Sequence, residues 1–173
     1  TNGLSFETDR VTMHRMLGEI GKLDDSGRLS GLLATLIGRC QKANMPPDVM
    51  QKLELLVGKV GLAVDRAQRQ IGTFFDQLEA FVAEYSDGRQ SRYAQRLRIT
   101  SGVRVQPAWE MVEIVWDDTY IPLGAIADGL TRLANGLVEL EIYDIPDNED
   151  LQAQLASIAQ RLKVVGGQIG EMI

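Results

Sequence analysis

The chain contains very little of the side-chain chemistry on which most enzymes depend. Its 173 residues include one cysteine, Cys40, and one histidine, His14. A single cysteine excludes an internal disulfide and a thiolate metal cluster built from this chain alone. A single histidine argues against a helical di-iron or di-manganese carboxylate site, which typically needs two Glu-x-x-His pairs. Because Cys40 follows the apolar run LLATLIGR, we expect a small buried residue there, and we interpret His14 as a helix-surface residue.

Sequence motifs that bind phosphate, bind zinc or activate a nucleophile are also missing. The chain has no GxxxxGK[ST] loop, no GxGxxG turn after a strand, no zinc-ligand spacing and no nucleophile elbow. Asp117 and Asp118 beside Trp116 could be read as a metal or general-base site, but exposed helix carboxylates are much commoner than such sites. We therefore assign no catalytic, cofactor-binding or metal-binding residue and expect that the chain is not an enzyme by itself.

Long hydrophobic runs are absent, because charged residues interrupt every apolar stretch. The first residues, TNGLSFETDR, lack the basic and apolar regions of a signal peptide. The proportions of hydrophobic residues, 45%, and charged residues, 24%, are typical of a domain that buries a core. We expect one domain over residues 1–173, a cytoplasmic location and no membrane partner. Since the first residue is not methionine, we also expect a piece excised from a longer protein.

Apolar residues recur at helical spacings along nearly the whole chain. The third predicted helix is the most informative, because its apolar residues recur at spacings of four and three from Val49 to Tyr85, with a single slip between Ala67 and Ile71. At 1.5 Å per residue it would be about 55 to 60 Å long. Pro122 predicts a kink or a one-turn break near Tyr120 in the fourth helix. The helices are predicted over about 8–23, 28–43 and 49–85, from Pro107 to about 140, and from about Asn148 to the end.

The positive charge of this acidic chain is concentrated between the third and fourth predicted helices. The formal net charge is −6, and residues 85–109 hold five arginines against Asp87 alone. That stretch therefore carries +4, which leaves −10 for the remaining residues. Residues 96–100 and 103–105 alternate polar with apolar side chains around a Ser-Gly pair, which predicts a β-hairpin. The predicted fold is thus mainly α: an elongated antiparallel bundle of about five helices, three of them long, with a small β-hairpin between the third and fourth.

Two interpretations of the arginine-rich stretch remain open. A row of arginines with aromatic rings nearby is suitable for gripping a phosphate backbone and stacking a base. The alternative is that the arginines pair with acids on adjacent helices, which is the more usual fate of clustered charges; the acids concerned are Glu84, Glu110, Glu113, Asp117 and Asp118. The set that would face nucleic acid or a neighbouring domain comprises Arg89, Arg92, Tyr93, Arg96, Arg98, Arg104 and Trp109.

Several longer segments carry a resemblance to a known family. LSFETDRVTMHRML lies near the start, and a long amphipathic pattern ends in FFDQLEAFVAEY. YAQRLRIT, VQPAWEMVEIVWDD, AIADGLTRLANGLVELE and YDIPDNEDLQAQLASIAQRL follow in that order. In this combination the chain resembles bacterial DinG-type helicases, which belong to the XPD-related DNA helicases of superfamily 2. The resemblance covers nearly the whole chain and points to the arch domain, a mainly helical insertion in the first motor domain.

The resemblance implies a role beside a motor that hydrolyses ATP and moves 5′ to 3′ along single-stranded DNA. The arch helps to enclose the strand near the point of duplex separation. ATP and Mg²⁺ would belong to the parent helicase, since no ATP-binding or DEAH residue occurs here. The four iron–sulfur cysteines of many relatives cannot be matched by Cys40, so an iron–sulfur cluster in the parent stays unknown. The implied partners are motor domains of the same chain and single-stranded DNA, with self-association of the excised piece as a further expectation.

Two other function classes fit the same helical patterns. A non-catalytic, coiled-coil-like interaction or structural module would use the same heptads, whereas a small-ligand sensor would need a polar pocket that the leucine-rich seams do not suggest. The positions of the first and last elements distinguish these two function classes from the arch domain. An inserted domain must leave and rejoin its host nearby, so the arch interpretation predicts that the first and last elements lie at one end of the bundle.

Overall fold

The protein is described here by a computed structural model that places residues 3–85, 96–98, 104 and 106–173. Within these ranges it is mainly α-helical, with five helices of which three are long, as predicted. The helices are α1 Phe6–Ile20, α2 Leu32–Lys42, α3 Pro47–Tyr85, α4 Pro107–Glu139 and α5 Asn148–Met172, and a 3₁₀ turn, Glu141–Tyr143, joins α4 to α5. The strands are β1 Gly3–Ser5, β2 Lys22–Leu23, β3 Leu29–Ser30 and β4 Arg96–Arg98.

The three long helices form an antiparallel up-down-up array. Early in α3, Val60 meets Gly129 late in α4, and late in α3, Phe81 stacks edge-on against Trp109 at the start of α4. The same reversal relates α4 to α5, because Gly170 near the end of α5 lies beside Trp116. A β-carbon at Gly129 would lie 2.6 Å from Val60 Cγ2, so the close approach of α3 and α4 at this level requires glycine.

The fourth position of the bundle is shared by α1 and α2, which follow one another in the same direction. Glu19 at the end of α1 pairs with Arg161 at 3.4 Å, and Arg39 of α2 lies 3.9 Å from Asp150, eleven residues earlier in α5. Both short helices therefore run antiparallel to α5. The two-stranded β2–β3 hairpin separates them, and Gly31, with φ of +86°, lies too close to the backbone of α1 to carry a side chain.

The turn of the β2–β3 hairpin is organised by a single carboxylate. Asp24 Oδ1 accepts hydrogen bonds from the Ser26 amide, the Ser26 hydroxyl and the Arg28 amide. These bonds stabilise the charged form, and they lower the pKa of Asp24. A break in the first helical pattern was predicted at Asp24–Gly27, but the two strands are too short to have been recognised as a sheet.

The buried core is continuous along the bundle and includes Cys40 of α2. Burial raises the pKa of the Cys40 thiol to about 11, so the expectation of a small buried residue at this position is confirmed. His14 lies partly buried between α1 and α3, where its Nδ1 is hydrogen-bonded to Gln68 Oε1 and its carbonyl accepts from Gln68 Nε2 at 3.2 Å. Among the described residues, no helix is both long and apolar enough to cross a membrane.

Pro122 does not break α4, and the one-turn interruption predicted near Tyr120 is wrong. The helix is continuous from Pro107 to Glu139, with Pro122 buried inside it. A proline here deprives the carbonyl of Asp118 of its helical donor. Because Asp118 is exposed, water can satisfy that carbonyl, and packing of the proline ring against the bundle favours the unbroken helix.

A small antiparallel strand pair is present, as predicted, and one of its strands, β4, lies between α3 and α4. Its partner is β1, with Gly3 opposite Arg98 and Ser5 opposite Arg96. Of the remaining residues of the predicted hairpin, 99–105, the structure describes only Arg104, which has helical backbone conformation. The segment between the third and fourth helices is therefore tied to the start of the chain, a pairing between distant residues that local alternation does not reveal.

Candidate nucleic-acid or docking interface

The described part of the arginine-rich segment lies at the end of the bundle where α3 ends and α4 begins. The first elements of the chain are at the same end, because Arg10 of α1 pairs with Asp76 at 2.9 Å and Glu79 at 3.5 Å. The last helix also finishes there, with Gly170 against Trp116 in the third turn of α4. One end of the bundle therefore gathers β1, β4, the start of α4 and the end of α5.

The structure places only some of the residues predicted to face DNA or a neighbouring domain. Arg96 and Arg98 are the first and last residues of β4, in register with Ser5 and Gly3. Arg104 is exposed. Arg89, Arg92 and Tyr93 lie outside the described residues, so their inclusion in the interface stays a prediction.

Trp109 is not part of this interface, and its assignment as a base-stacking residue is wrong. The side chain is fully buried, and its ring centroid lies 5.1 Å from that of Phe81 in an edge-to-face arrangement. A base can stack only on an exposed ring face. Trp109 Nε1 has no hydrogen-bond partner among the described residues. Its position in the first turn of α4 matches the heptad pattern, which was the available signal for burial.

The acids expected to neutralise the arginines form no ion pairs in the described part of the chain. These acids are Glu84, Glu110, Glu113, Asp117 and Asp118. The side chains of four of the five arginines lie outside the described residues, so internal pairing stays an open alternative. The carboxylates on α4 add negative charge to that side of the bundle end, which is unfavourable for contact with phosphate. Burial raises the pKa of Asp9 in the first turn of α1, so this carboxylate is protonated more readily than an exposed one.

Two grooves elsewhere on the bundle hold polar residues that the sequence patterns did not single out. Between α1, α2 and α5, Arg39 and Arg161 line a groove with Ser157, and Arg39 Nη1 is buried without a hydrogen bond in the described structure. Between α3 and α4, on the surface turned away from the other helices, Arg66 and Asp118 line a second groove with apolar residues. Neither groove forms a metal centre, since no cluster of three or more His, Cys, Asp or Glu suited to a metal occurs in the residues placed by the structure.

Known proteins offer no template for this arrangement. Comparison of the chain with models of protein families, with curated proteins and with solved structures finds no match.

Proposed function

We propose that this chain is an accessory domain of an ATP-dependent 5′–3′ DNA helicase of the DinG and XPD-like class. In this role it helps to enclose or guide single-stranded DNA beside the motor. The observation that carries the proposal is the gathering of the first strand, the last helix and the arginine-bearing strand at one end of the bundle. A domain inserted into a host must connect to it through neighbouring points, and this arrangement meets that requirement.

The charge distribution supports different roles for the arginine-bearing end and for the rest of such a domain. The arginines of β4 and Arg104 are at the end that connects to the host, where a strand held by the motor would pass. The rest of the chain carries the negative charge. Because acidic helices repel phosphate, this part of the bundle would face solvent rather than DNA. Nucleotide chemistry belongs to the motor domains in this proposal, and ATP and Mg²⁺ would bind there.

Pairing with β1 fixes the position of β4, the strand that carries Arg96 and Arg98. Arg96 and Arg98 belong to a strand whose backbone is hydrogen-bonded to β1, which continues directly into α1. Helix α1 is in turn clamped to α3 by the Arg10 ion pairs and the Gln68 hydrogen bonds. A cationic strand anchored in this way loses less conformational freedom on binding a phosphate backbone than a free loop would.

The proposal is tested by fluorescence anisotropy with a labelled single-stranded oligonucleotide over a series of salt concentrations. The variant changes Arg96, Arg98 and Arg104 to Glu. We expect the protein to bind weakly, with affinity that falls steeply as salt increases, because released counterions set the slope. Three lost phosphate contacts should reduce the slope of log affinity against log salt by about 2 for single strands.

A matched variant separates local contacts from overall charge. Arg15, Arg28 and Arg132 are exposed and lie away from β4, so changing them to Glu alters the net charge by the same amount. This control should retain most of the affinity and most of the salt slope. Absence of binding at low salt, or equal losses in both variants, would contradict a DNA-facing role for this end.

A second candidate function is a non-catalytic protein-interaction module. It is favoured by one specific observation: large aliphatic side chains are exposed on the outer surface of α3 and α4, including Leu62 and Ile121. Such side chains in a row on a bundle surface indicate contact with another protein. This candidate would be favoured over the helicase domain if the chain binds no oligonucleotide in the anisotropy measurement but binds another protein through this surface.

A further inference from the structure

A groove opens on the surface of the bundle between the short helices α1 and α2 on one side and the long helix α5 on the other. We call it the arginine groove, and its walls include Glu19, Leu32, Arg39, Gln154, Ile158 and Arg161. Its volume is about 640 Å³, which is within the range of sites that bind small molecules. Two arginines against one glutamate give the lining a net charge of +1, in a chain whose net charge is −6. This sign favours an anion as the occupant of the groove.

The guanidinium group of Arg39 lacks the hydrogen bonds that its burial requires. The side chain is 25% exposed, and Nη1 is shielded from water without a hydrogen bond in the described structure. The carboxylate with which it pairs, Asp150, has its Oδ2 3.9 Å from Nη1, beyond hydrogen-bond distance. That oxygen instead accepts a hydrogen bond of 2.7 Å from Gln154 Nε2. A largely buried guanidinium without hydrogen bonds is unfavourable, and in folded proteins such a group is usually explained by a bound ligand, ion or water molecule.

Arg161 adds a second group of donors to the same groove. Its Nη2 is 3.4 Å from Glu19 Oε2, a long hydrogen bond that leaves most of the five N–H groups of this side chain available. The apolar part of the lining includes Leu32 and Ile158, whose exposed fractions are 8% and 4%. The groove therefore presents two cationic groups beside an apolar floor.

We propose that the arginine groove binds a small molecule in which a phosphate group adjoins an apolar part. The phosphate accepts hydrogen bonds from the N–H groups of Arg39 that remain exposed, since the planar fork of a guanidinium matches phosphate oxygens. Arg161 adds positive charge, which favours a phosphate, with a charge of about −1.5 to −2, over a singly charged carboxylate. The apolar part of the ligand lies on Leu32 and Ile158.

One nearby carboxylate opposes this ligand. Asp150 is outside the groove lining, but its position beside Arg39 brings its negative charge close to the bound phosphate. Its side chain is 59% exposed, so solvent screens much of the repulsion. The groove is also open to solvent, and we expect a Kd on the order of 1 mM. The proposal does not rest on the DNA-binding role, because no residue of the groove belongs to the arginine set of β4.

The ligand class is tested by NMR titration of the whole chain with phenyl phosphate, observing the methyl signals of Leu32 and Ile158. We expect these signals to shift and to saturate with a Kd on the order of 1 mM. Inorganic phosphate lacks the apolar part, and benzoate lacks the second negative charge. Each should therefore bind more weakly than phenyl phosphate, by about threefold or more. Benzoate that binds as tightly as phenyl phosphate would contradict the assignment of a phosphate ligand.

Substitution of Arg39 separates binding from folding. Arg39→Met keeps an unbranched side chain but removes the guanidinium, so it should raise the Kd for phenyl phosphate by about tenfold or more. Its Tm should equal or exceed that of the unchanged protein, because a buried charge without hydrogen bonds is removed. Arg132→Met is the matched control: it changes the net charge equally at an exposed position of α4, and the Kd should stay within about twofold.

A change of opposite sign is expected at Asp150. Asp150→Asn removes the competing negative charge and should lower the Kd for phenyl phosphate by about two- to threefold. An unchanged or higher Kd in this variant would contradict a phosphate bound at Arg39.

Three further results would overturn the proposal. The first is the absence of methyl shifts at phenyl phosphate concentrations up to about 20 mM, well above the expected Kd. The second is an equal rise in Kd for Arg39→Met and Arg132→Met. The third is a lower Tm of Arg39→Met with an unchanged Kd, which would make Arg39 a structural partner of Asp150. If Arg39→Met weakened oligonucleotide binding while phenyl phosphate did not bind, the groove would belong to the path of DNA instead.

Discussion

The inner and outer surfaces of α3 and α4 are both rich in apolar residues, yet they differ in what they contribute. On the inner surface Phe74 and Trp116 are buried, with ring centroids 5.0 Å apart. On the outer surface Ile121, five residues after Trp116, is 71% exposed. We expect the inner residues to hold the monomer together and the outer residues to contribute little to its free energy of unfolding. Apolarity in these helices therefore has two physical roles, and only contact with a neighbouring helix distinguishes them.

Exposed aliphatic residues interrupt the mainly polar outer surface of α4. A helix that serves one core normally presents charged or polar residues to water. In α4, Ile114 and Ile121 occupy positions where such residues are usual, and Ile121 lines the groove shared with α3. Exposed aliphatic side chains at these positions point to association rather than to folding.

The strongest contrast between the two surfaces should come from truncating an inner aromatic residue. Phe74→Ala removes a fully buried ring that contacts both Phe75 and Trp116. We expect the free energy of unfolding to fall by about 3–5 kcal/mol, because the lost contacts leave a cavity. Urea denaturation followed by circular dichroism measures this change, and a loss below about 1 kcal/mol would contradict the assignment of Phe74 to the core.

The close approach of α3 and α4 is the next feature to test. Gly129→Ala places a methyl group 2.6 Å from Val60 Cγ2, so we expect a loss of about 1–3 kcal/mol from overpacking. The double variant Gly129→Ala/Val60→Ala removes the clash and should be more stable than the sum of the single changes predicts. Additive losses in thermal unfolding would mean that Val60 and Gly129 are not in close contact.

A glycine-to-alanine substitution elsewhere in α4 should raise the free energy of unfolding rather than lower it. A β-carbon at Gly124 would meet no atom within 4 Å, so Gly124→Ala introduces no clash. Alanine restricts the unfolded backbone more than glycine and favours helix, which should stabilise the protein by about 0.5–1 kcal/mol. A destabilised Gly124→Ala variant in the same denaturation measurement would mean that α4 requires glycine at this position for a reason other than close packing.

The smallest effect is expected on the outer surface. Ile121→Ala should change the free energy of unfolding of the monomer by no more than about 0.5 kcal/mol, because the side chain is largely in water before and after folding. The measurement is made at low protein concentration, where self-association does not contribute. A loss comparable to that of Phe74→Ala would remove the distinction between the surfaces and place Ile121 in the core.

Much of the helical architecture could be predicted because the relevant signals are local. The alternating spacing of four and three from Val49 to Tyr85 predicted α3, and Pro107 marked the start of α4. The fate of Pro122 could not be predicted in the same way. Whether a proline interrupts a helix depends on what its ring contacts and on whether the freed carbonyl reaches water, and both are tertiary properties.

The candidate interface was predictable only in part. The concentration of arginines is a property of the sequence, but the pairing of β4 with β1 joins residues more than 90 positions apart. Trp109 was assigned to a nucleic-acid surface because of the arginines beside it, although its heptad position placed it in the core. Charge near a residue in sequence says little about which way its side chain points.

By itself, the sequence determined the helical class, the number of long helices and the segregation of positive charge, because these depend on residue spacing and composition. Tertiary structure alone decided that the first and last elements lie at one end, that Trp109 is buried, and that Arg66 and Asp118 line a groove with Leu62 and Ile121. Those features depend on the register of α3 against α4 and on strand pairing between distant segments. Such arrangements are selected by packing over the whole chain rather than by any local preference.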